Sequence, residues 1–242
     1  MVSIIIAVHN GFGYTRACLK SILENTAEGK YEVIVVDNGS KPKYRGAAVR
    51  NEENLGFPRA VNQGIKASKG GLICLLNNDV IVTPGWVERL ARHLRRGYDL
   101  VGPCTNSVSG PQQVLVDVYN GTEELGRVAE DFYMRNKGQA IPYHRLVGFC
   151  LLIKRKVFNG IGLFDEAYSP GNFEDDDFCL RAIEAGFRPG IARDIFVHHF
   201  GGVTHRLLGL DYAALVEKNR KIFETKWGKK YERLQKRGCQ AH

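Results

Sequence analysis

VSIIIAVHN, residues 2–10, carries six apolar residues in its first seven positions and then turns polar at His9-Asn10. The apolar run does not alternate, so it reads as a strand buried on both faces. The pattern recurs twice. YEVIVV (31–36) runs into Asp37-Asn38-Gly39-Ser40, and LICLL (72–76) runs into Asn77-Asn78-Asp79. Helical patterns separate these strands, from Tyr14 to Leu23 and from Pro58 to Ala67, and another runs from Pro84 through Leu94. Residues 47–50 and 98–102 read as further strands. Strand and helix in alternation predict an α/β fold: one Rossmann-like domain with a mixed, mainly parallel central sheet flanked by helices. In such sheets ligands bind beyond the C-terminal ends of the strands, where the three polar clusters lie.

The second half is less regular. Residues 103–142 are rich in Gly, Ser, Asn and Gln, with one short helical pattern near 122–135. An irregular stretch of that length predicts a mobile binding loop. LVGFCLLIKR (146–155) and IARDIFVHHFGG (191–202) read as strands, and Tyr212 to Trp227 as a final helix. Between the two strands stands NFEDDDFCLR (172–181), with four consecutive acids at a helix start. The positive helix end favours acids there, and Asp177 is spaced to pair with Arg181. Phe178, Cys179, Ala182 and Ile183 mark the buried stripe of this helix. Asp175 falls on the same face, which makes it a candidate for a tuned acid or base.

The chain has 242 residues, 44% hydrophobic and 25% charged, the composition of a soluble globular protein. Val2 to Val8 is too short to span a membrane and has no basic leader. The six cysteines form no CxxC pair and mostly sit in apolar runs, so they read as reduced, buried thiols in a cytoplasmic protein. The net charge of +8 points to an anionic partner. Much of its excess lies at the C-terminus, from Lys218 to Arg237, which allows contact with the inner face of a membrane. There is no nucleic-acid-binding signature.

The absence of GxGxxG after the first strand and of GxxxxGK[ST] anywhere argues against a dinucleotide oxidoreductase and a P-loop NTPase. Carboxylates take their place. Asp37 accepts hydrogen bonds only, and so suits a base that presents an N–H, such as uracil, thymine or guanine. Asp79, flanked by amides, suits Mg²⁺ or Mn²⁺ that takes its other ligands from a diphosphate and water. His198 or His199 adds one imidazole. Adjacent strand residues point to opposite faces, so only one of the two faces the site.

Together these segments resemble the inverting glycosyltransferase family 2, which has the GT-A fold. The resemblance runs from Val2 to about Thr204, through SIIIAVHN (3–10), VIVVDNGS (33–40), NLGFPRAVNQG (54–64), LLNNDV (75–80), GFCLLIKR (148–155), GLFDE (162–166), EDDDFCLR (174–181) and HHFGGVT (198–204). It implies that Asp37 and Asn38 hold the nucleobase side of a nucleotide-sugar donor, with Ala7, Val8, His9 and Asn10 lining the pocket. It implies donor contacts from Asn54, Gly56, Phe57, Arg59 and Asn62. Asn77-Asn78-Asp79 stands where the family has its D-x-D metal motif, with Asn in place of the first acid. Asp79 and His199 are then the metal ligands, with His198 the alternative. Asp175 matches the catalytic base, aided by Glu174, while Gly148, Phe149 and Asp177 fall on the acceptor side.

The expected enzyme is a single domain, 1–242. Residues 1–102 form the donor half, 103–205 the acceptor and catalytic half, and 206–242 a basic helical tail. It transfers a hexose from a UDP-, dTDP- or GDP-sugar to a hydroxyl of a glycan, lipid-linked saccharide or polypeptide, as in polysaccharide biosynthesis. The competing expectations are a nucleotidyltransferase that makes nucleotide-sugars and a degenerate glycan-binding module.

Overall fold

The structure is a computed structural model and describes residues 1–117, 119–202 and 212–240. Thr204, the expected end of the resemblance, and the start of the expected tail lie outside the described residues.

Among the described residues nine strands form one sheet: β1 (Val2–Val8), β2 (Tyr31–Asn38), β3 (Val49–Asn51), β4 (Leu72–Leu76), β5 (Val80–Ile81), β6 (Leu100–Thr105), β7 (Ala140–Pro142), β8 (Cys150–Lys154) and β9 (Pro189–His199). Their order is β3-β2-β1-β4-β8-β6-β9-β5, with β7 added on β9. The longest ladder, seven positions between β1 and β2, is parallel, and so are β1 with β4 and β6 with β9. β8 runs antiparallel to both its neighbours. The sheet is therefore mixed, as the strand pattern predicts.

Period-two alternation divides the core into two layers. Ile4, Ile6, Val8, Cys74, Leu76 and Leu152 face one layer, where α1 (Phe12–Asn25) and α3 (Trp86–Arg95) pack. Ile5, Ile73, Leu75, Leu151 and Ile153 face the other, under α2 (Phe57–Ala67), α5 (Arg155–Ile161) and α6 (Glu174–Glu184). Each fully buried aliphatic side chain contributes about 1.5–3 kcal/mol of transfer free energy. Trp86 is fully buried and keeps its indole N–H satisfied by Thr26 Oγ1 at 2.9 Å.

Three expectations change. The strand expected from Leu146 begins at Cys150, because side chains take the preceding backbone donors. Gln112 Oε1 accepts from Val147 N at 2.8 Å, and Asp175 Oδ2 accepts from Gly148 N at 2.8 Å. The irregular stretch is shorter than 103–142, since β6 runs to Thr105 and α4 (Gly121–Asn136) follows. Leu125 and Ala129 of α4 bury against Phe196 of β9. Cys239 is exposed, unlike the other five cysteines, and all six are free.

The C-terminal segment is not a free tail. α7 (Tyr212–Trp227) and α8 (Tyr231–Gly238) bury Phe223, Trp227 and Leu234 against Tyr168 and against Leu180 and Ile183 of α6. Phe223, Trp227 and Tyr231 recur every four residues, one face of a helical path.

Candidate active site

The parallel strands β1, β2 and β4 end at one edge of the sheet, where β9 also ends and where antiparallel β8 begins. A cavity of about 720 Å³ opens there.

Its first wall comes from the ends of β1 and β2. Ala7, Val8, His9, Asn38, Asn54 and Phe57 line it. Asn38 organises this wall. Its amide donates to Asn54 Oδ1 at 2.8 Å and Gly56 O at 3.2 Å, and its carbonyl accepts from Asn51 Nδ2 and Leu55 N. Five expected donor residues stand behind the wall instead of in it. Asp37 is fully buried and accepts from Ser40 N, Tyr44 N and the Arg50 guanidinium. Those donors hold its carboxyl below the usual range, although burial pulls the other way. Asn10 accepts from Lys41 N. Gly56 caps α2 at φ 86°, and a Cβ there would meet Ser169 Oγ at 1.9 Å, so its role is close packing. Arg59 is half-exposed and pairs with Glu166 at 2.9 Å. Asn62 is buried and bonds both the N–H and the carbonyl of Phe164.

The second wall follows β4. Asn77, Asn78 and Asp79 all line the cavity. Asn78 is tied to Thr15 Oγ1 at 3.0 Å, so its amide is engaged. The two-residue ladder of β5 on β9 places Val80 opposite His199, which brings Asp79 to that imidazole. His199 Nδ1 donates to Ser107 O at 2.8 Å, which fixes the tautomer of the neutral ring with the lone pair on Nε2. That Nε2 is buried without a hydrogen-bond partner and lies 3.2 Å from Asp79 Oδ1. Phe149 stacks on the ring at 5.3 Å between centroids. His198 points away, to the Tyr119 hydroxyl at 2.5 Å. Strand alternation predicted that only one of the pair would face the site.

The third wall is the start of α6. Glu174, Asp175 and Asp176 line the cavity beside Gly148 and Arg145. α6 has no side-chain cap, and Phe173 enters it at φ 71° after Asn172 at φ 78°. Positive φ in two successive non-glycine residues is a strained entry of the kind found at functional sites. Asp175 is held at both oxygens, by Gly148 N at 2.8 Å and by Asp176 N at 2.9 Å. Burial raises its proton affinity, opposed by the Gly148 N–H and by Arg145. Burial and then the Asp175 charge push Glu174 well above the carboxylate range, and its Oε2 has no hydrogen-bond partner. Asp176 is pushed up to about 7 by burial and by Asp175, although Arg145 Nε lies 2.7 Å away. Asp177, expected on the acceptor side, does not line the cavity. It is fully buried and braces the helix through Arg181 Nε at 2.8 Å, Lys226 Nζ at 2.8 Å and Trp227 Nε1 at 2.9 Å.

Sequence reasoning missed Arg145, Ser107 to Ser109, and Val216, Phe223 and Tyr231 of the C-terminal helices, all of which line the cavity. The four-residue spacing of Phe223, Trp227 and Tyr231 was the available signal for the last group.

The acid cluster gives a pH test. A carboxyl whose affinity for protons is raised on folding stabilises the folded chain when protonated. For Asp176 that contribution is complete below the unfolded value near 4 and is lost as pH rises through about 7. Asp176→Asn cannot ionise. Thermal melts from pH 4 to pH 8 are therefore expected to show the variant gaining on wild type as pH rises. A constant difference in Tm across that range would contradict this account.

A profile described as glycosyl transferase family 2 matches residues 3–162. The glycosyltransferase AglE of Haloferax volcanii is 26% identical over 212 residues, covering 82% of this chain and 66% of that protein. Among solved structures, GalNAc-T7 with UDP, GalNAc and Mn²⁺ superposes with a TM-score of 0.63 at 17% identity, over 82% of this chain and 43% of that one. The mannosyltransferase PcManGT of Pyrobaculum calidifontis, with GDP-Man and Mn²⁺, gives 0.57 at 18% identity, over 82% and 56%. The chain thus spans about two thirds or less of the length of these relatives. The fold is the GT-A fold that the motifs imply. The matched profile covers the ends of β1, β2 and β4, and by it the chain belongs to glycosyl transferase family 2.

Proposed function

We propose that this chain is an inverting hexosyltransferase. In this reading it moves a sugar from a UDP-, dTDP- or GDP-sugar to a hydroxyl of a glycan, lipid-linked saccharide or polypeptide, in cytoplasmic polysaccharide synthesis. The carrying observation is one cavity with two separate carboxylate stations, Asp79 beside His199 and Glu174 to Asp176 on α6.

The cavity is lined by four carboxylates and, among the described residues, one guanidinium, that of Arg145. A nucleoside diphosphate adds more negative charge, so a cation is needed to hold it there. The first station fits Mn²⁺ or Mg²⁺. A buried imidazole nitrogen without a hydrogen-bond partner stands 3.2 Å from a carboxylate oxygen, the spacing of adjacent ligands on a small divalent ion. No cluster of three or more His, Cys, Asp or Glu side chains suited to a metal occurs among the described residues. Asp79 and His199 would therefore supply two ligands, leaving the rest to diphosphate and water. The Mn²⁺ bound with UDP in GalNAc-T7 and with GDP-Man in PcManGT supports the same reading. When bound, the ion neutralises the charge that develops on the departing diphosphate.

Asp175 serves as the general base. It receives the proton of the acceptor hydroxyl as that oxygen bonds to the anomeric carbon and the bond to diphosphate breaks. The N–H groups of Gly148 and Asp176 fix its orientation, and burial brings its basicity closer to neutral pH. Phe57, Asn38, Asn54 and His9 wall the donor. No helix among the described residues is long and apolar enough to cross a membrane. Contact with an anionic membrane face through the basic C-terminal helices is part of the proposal.

The test is a panel of UDP-, dTDP- and GDP-sugars with and without Mn²⁺, reading nucleoside diphosphate release and the anomer formed. Metal-dependent release with inversion is expected from one donor. A retained anomer would overturn the inverting assignment. Pyrophosphate formed from a nucleoside triphosphate and a sugar phosphate would identify a nucleotidyltransferase instead. Neither turnover nor metal-dependent nucleotide binding would leave the binding module.

A further inference from the structure

The wall of the cavity next to the acids is aromatic. Phe173, Phe223 and Tyr231 all line it. Their rings form a continuous series, with Phe173 and Phe223 centroids 5.4 Å apart and Phe223 and Tyr231 centroids 5.6 Å apart. Phe223 is buried, whereas Phe173 and Tyr231 are only partly covered. Phe173 holds its place at φ 71°, a conformation unfavourable for a bulky side chain. The series ends where the carboxylates start, because Phe173 directly precedes Glu174. Two polar groups border the rings. The Tyr231 hydroxyl lies 3.5 Å from His144 Nε2, and Glu174, 6% exposed, has its Oε2 without a hydrogen-bond partner.

An unpaired buried carboxyl oxygen is costly unless a ligand supplies its partner. Aromatic rings offer flat apolar faces, and hydroxyl-seeking carboxyls beside them offer directional contacts. A ligand that satisfies both is flat and apolar on one side and carries hydroxyls around its rim. A pyranose ring has this form, with axial C–H bonds on its faces and hydroxyls at its edge. A serine or threonine side chain has the hydroxyl but no such face.

We propose that Phe173, Phe223 and Tyr231, together with Glu174 Oε2, form a subsite for a pyranose ring, so that the acceptor is a saccharide hydroxyl and not a peptide side chain. This rests on the transferase reading and narrows its acceptor class. α7 and α8 supply two of the three rings, so acceptor recognition depends on a segment beyond residues 3–162, which the family profile matches.

Saturation-transfer NMR tests the subsite on the protein alone, without donor or metal. The probes are methyl α- and β-pyranosides of glucose, galactose, mannose and N-acetylglucosamine, each paired with its open-chain alditol. Transfer to the C–H protons of at least one pyranoside is expected, and none to the matched alditol. Phe173→Leu and Tyr231→Leu, which keep apolar volume but remove the ring, are expected to weaken pyranoside binding roughly three- to tenfold. Equal binding of alditols, or no pyranoside binding by the wild type, would overturn the subsite even if a variant failed to fold. So would folded variants, judged by thermal melts, that keep wild-type affinity. Pyranoside binding in a protein that transfers no sugar would uphold the subsite while refuting the transferase reading, so the two failures are distinguishable.

Discussion

Asp175→Asn is expected to lower the transfer rate by about a thousandfold, within the range that a positioned general base supplies. The change keeps the shape of the side chain and one of its two hydrogen bonds, from Gly148 N or Asp176 N, on the carbonyl oxygen. What disappears is the capacity to accept a proton. Binding of nucleoside diphosphate, measured by calorimetry with Mn²⁺, should stay within about twofold of wild type, because the donor wall lies on β1 and β2. A rate loss below about tenfold would remove Asp175 from the role of base. Glu174 would then be the next residue to test, since it shares the wall and its affinity for protons is raised further by the charge of Asp175.

Asp79→Ala should be comparably damaging by a different route. It removes the carboxylate beside His199 and leaves an acidic cavity without the site for its counter-ion. The loss in kcat/KM should be on the order of a hundred- to a thousandfold, the scale of losing one electrostatic contact to developing charge. The discriminating readout is binding. Wild-type affinity for nucleoside diphosphate should rise when Mn²⁺ is added, and the variant should show no such rise. His199→Ala should give a weaker version of the same phenotype, because the carboxylate remains. If Mn²⁺ strengthened nucleotide binding equally in Asp79→Ala and wild type, the ion would be held elsewhere.

The parts of this molecule that were legible in its sequence are those written in local periodicity. Val2 to Val8 could only be a two-sided buried strand, and its polar end lies at the edge where the cavity opens. Asp175 could be placed on the buried face of α6 because Phe178 and Cys179 lie three and four residues further on. Asp79 and His199 were legible separately, but their meeting depends on a two-residue ladder that no local pattern announces. Arg145 was invisible for a similar reason. It matters through its ion pair with Asp176, and the chain has 34 lysines and arginines from which to choose. Asp37 was read from its residue type as suited to a nucleobase, and its carboxylate is engaged by Ser40, Tyr44 and Arg50 behind the cavity wall, contacts that no local pattern announces. The acidic run was ambiguous only until tertiary contacts divided it. Asp177 turns towards Arg181, Lys226 and Trp227, while Glu174, Asp175 and Asp176 turn towards the cavity.

The reversed direction of β8 has a spectroscopic consequence. A strand parallel to β4 would present its last carbonyls at the ligand edge. β8 arrives there with its first residues, and the peptide N–H of Gly148 is spent on Asp175. That amide is therefore a built-in gauge of the carboxylate. Its proton and nitrogen resonances should move with pH as Asp175 takes up a proton, and should stop moving in Asp175→Asn. A single backbone signal would thus report the ionisation of the residue proposed as base, in the resting protein, before any substrate is known.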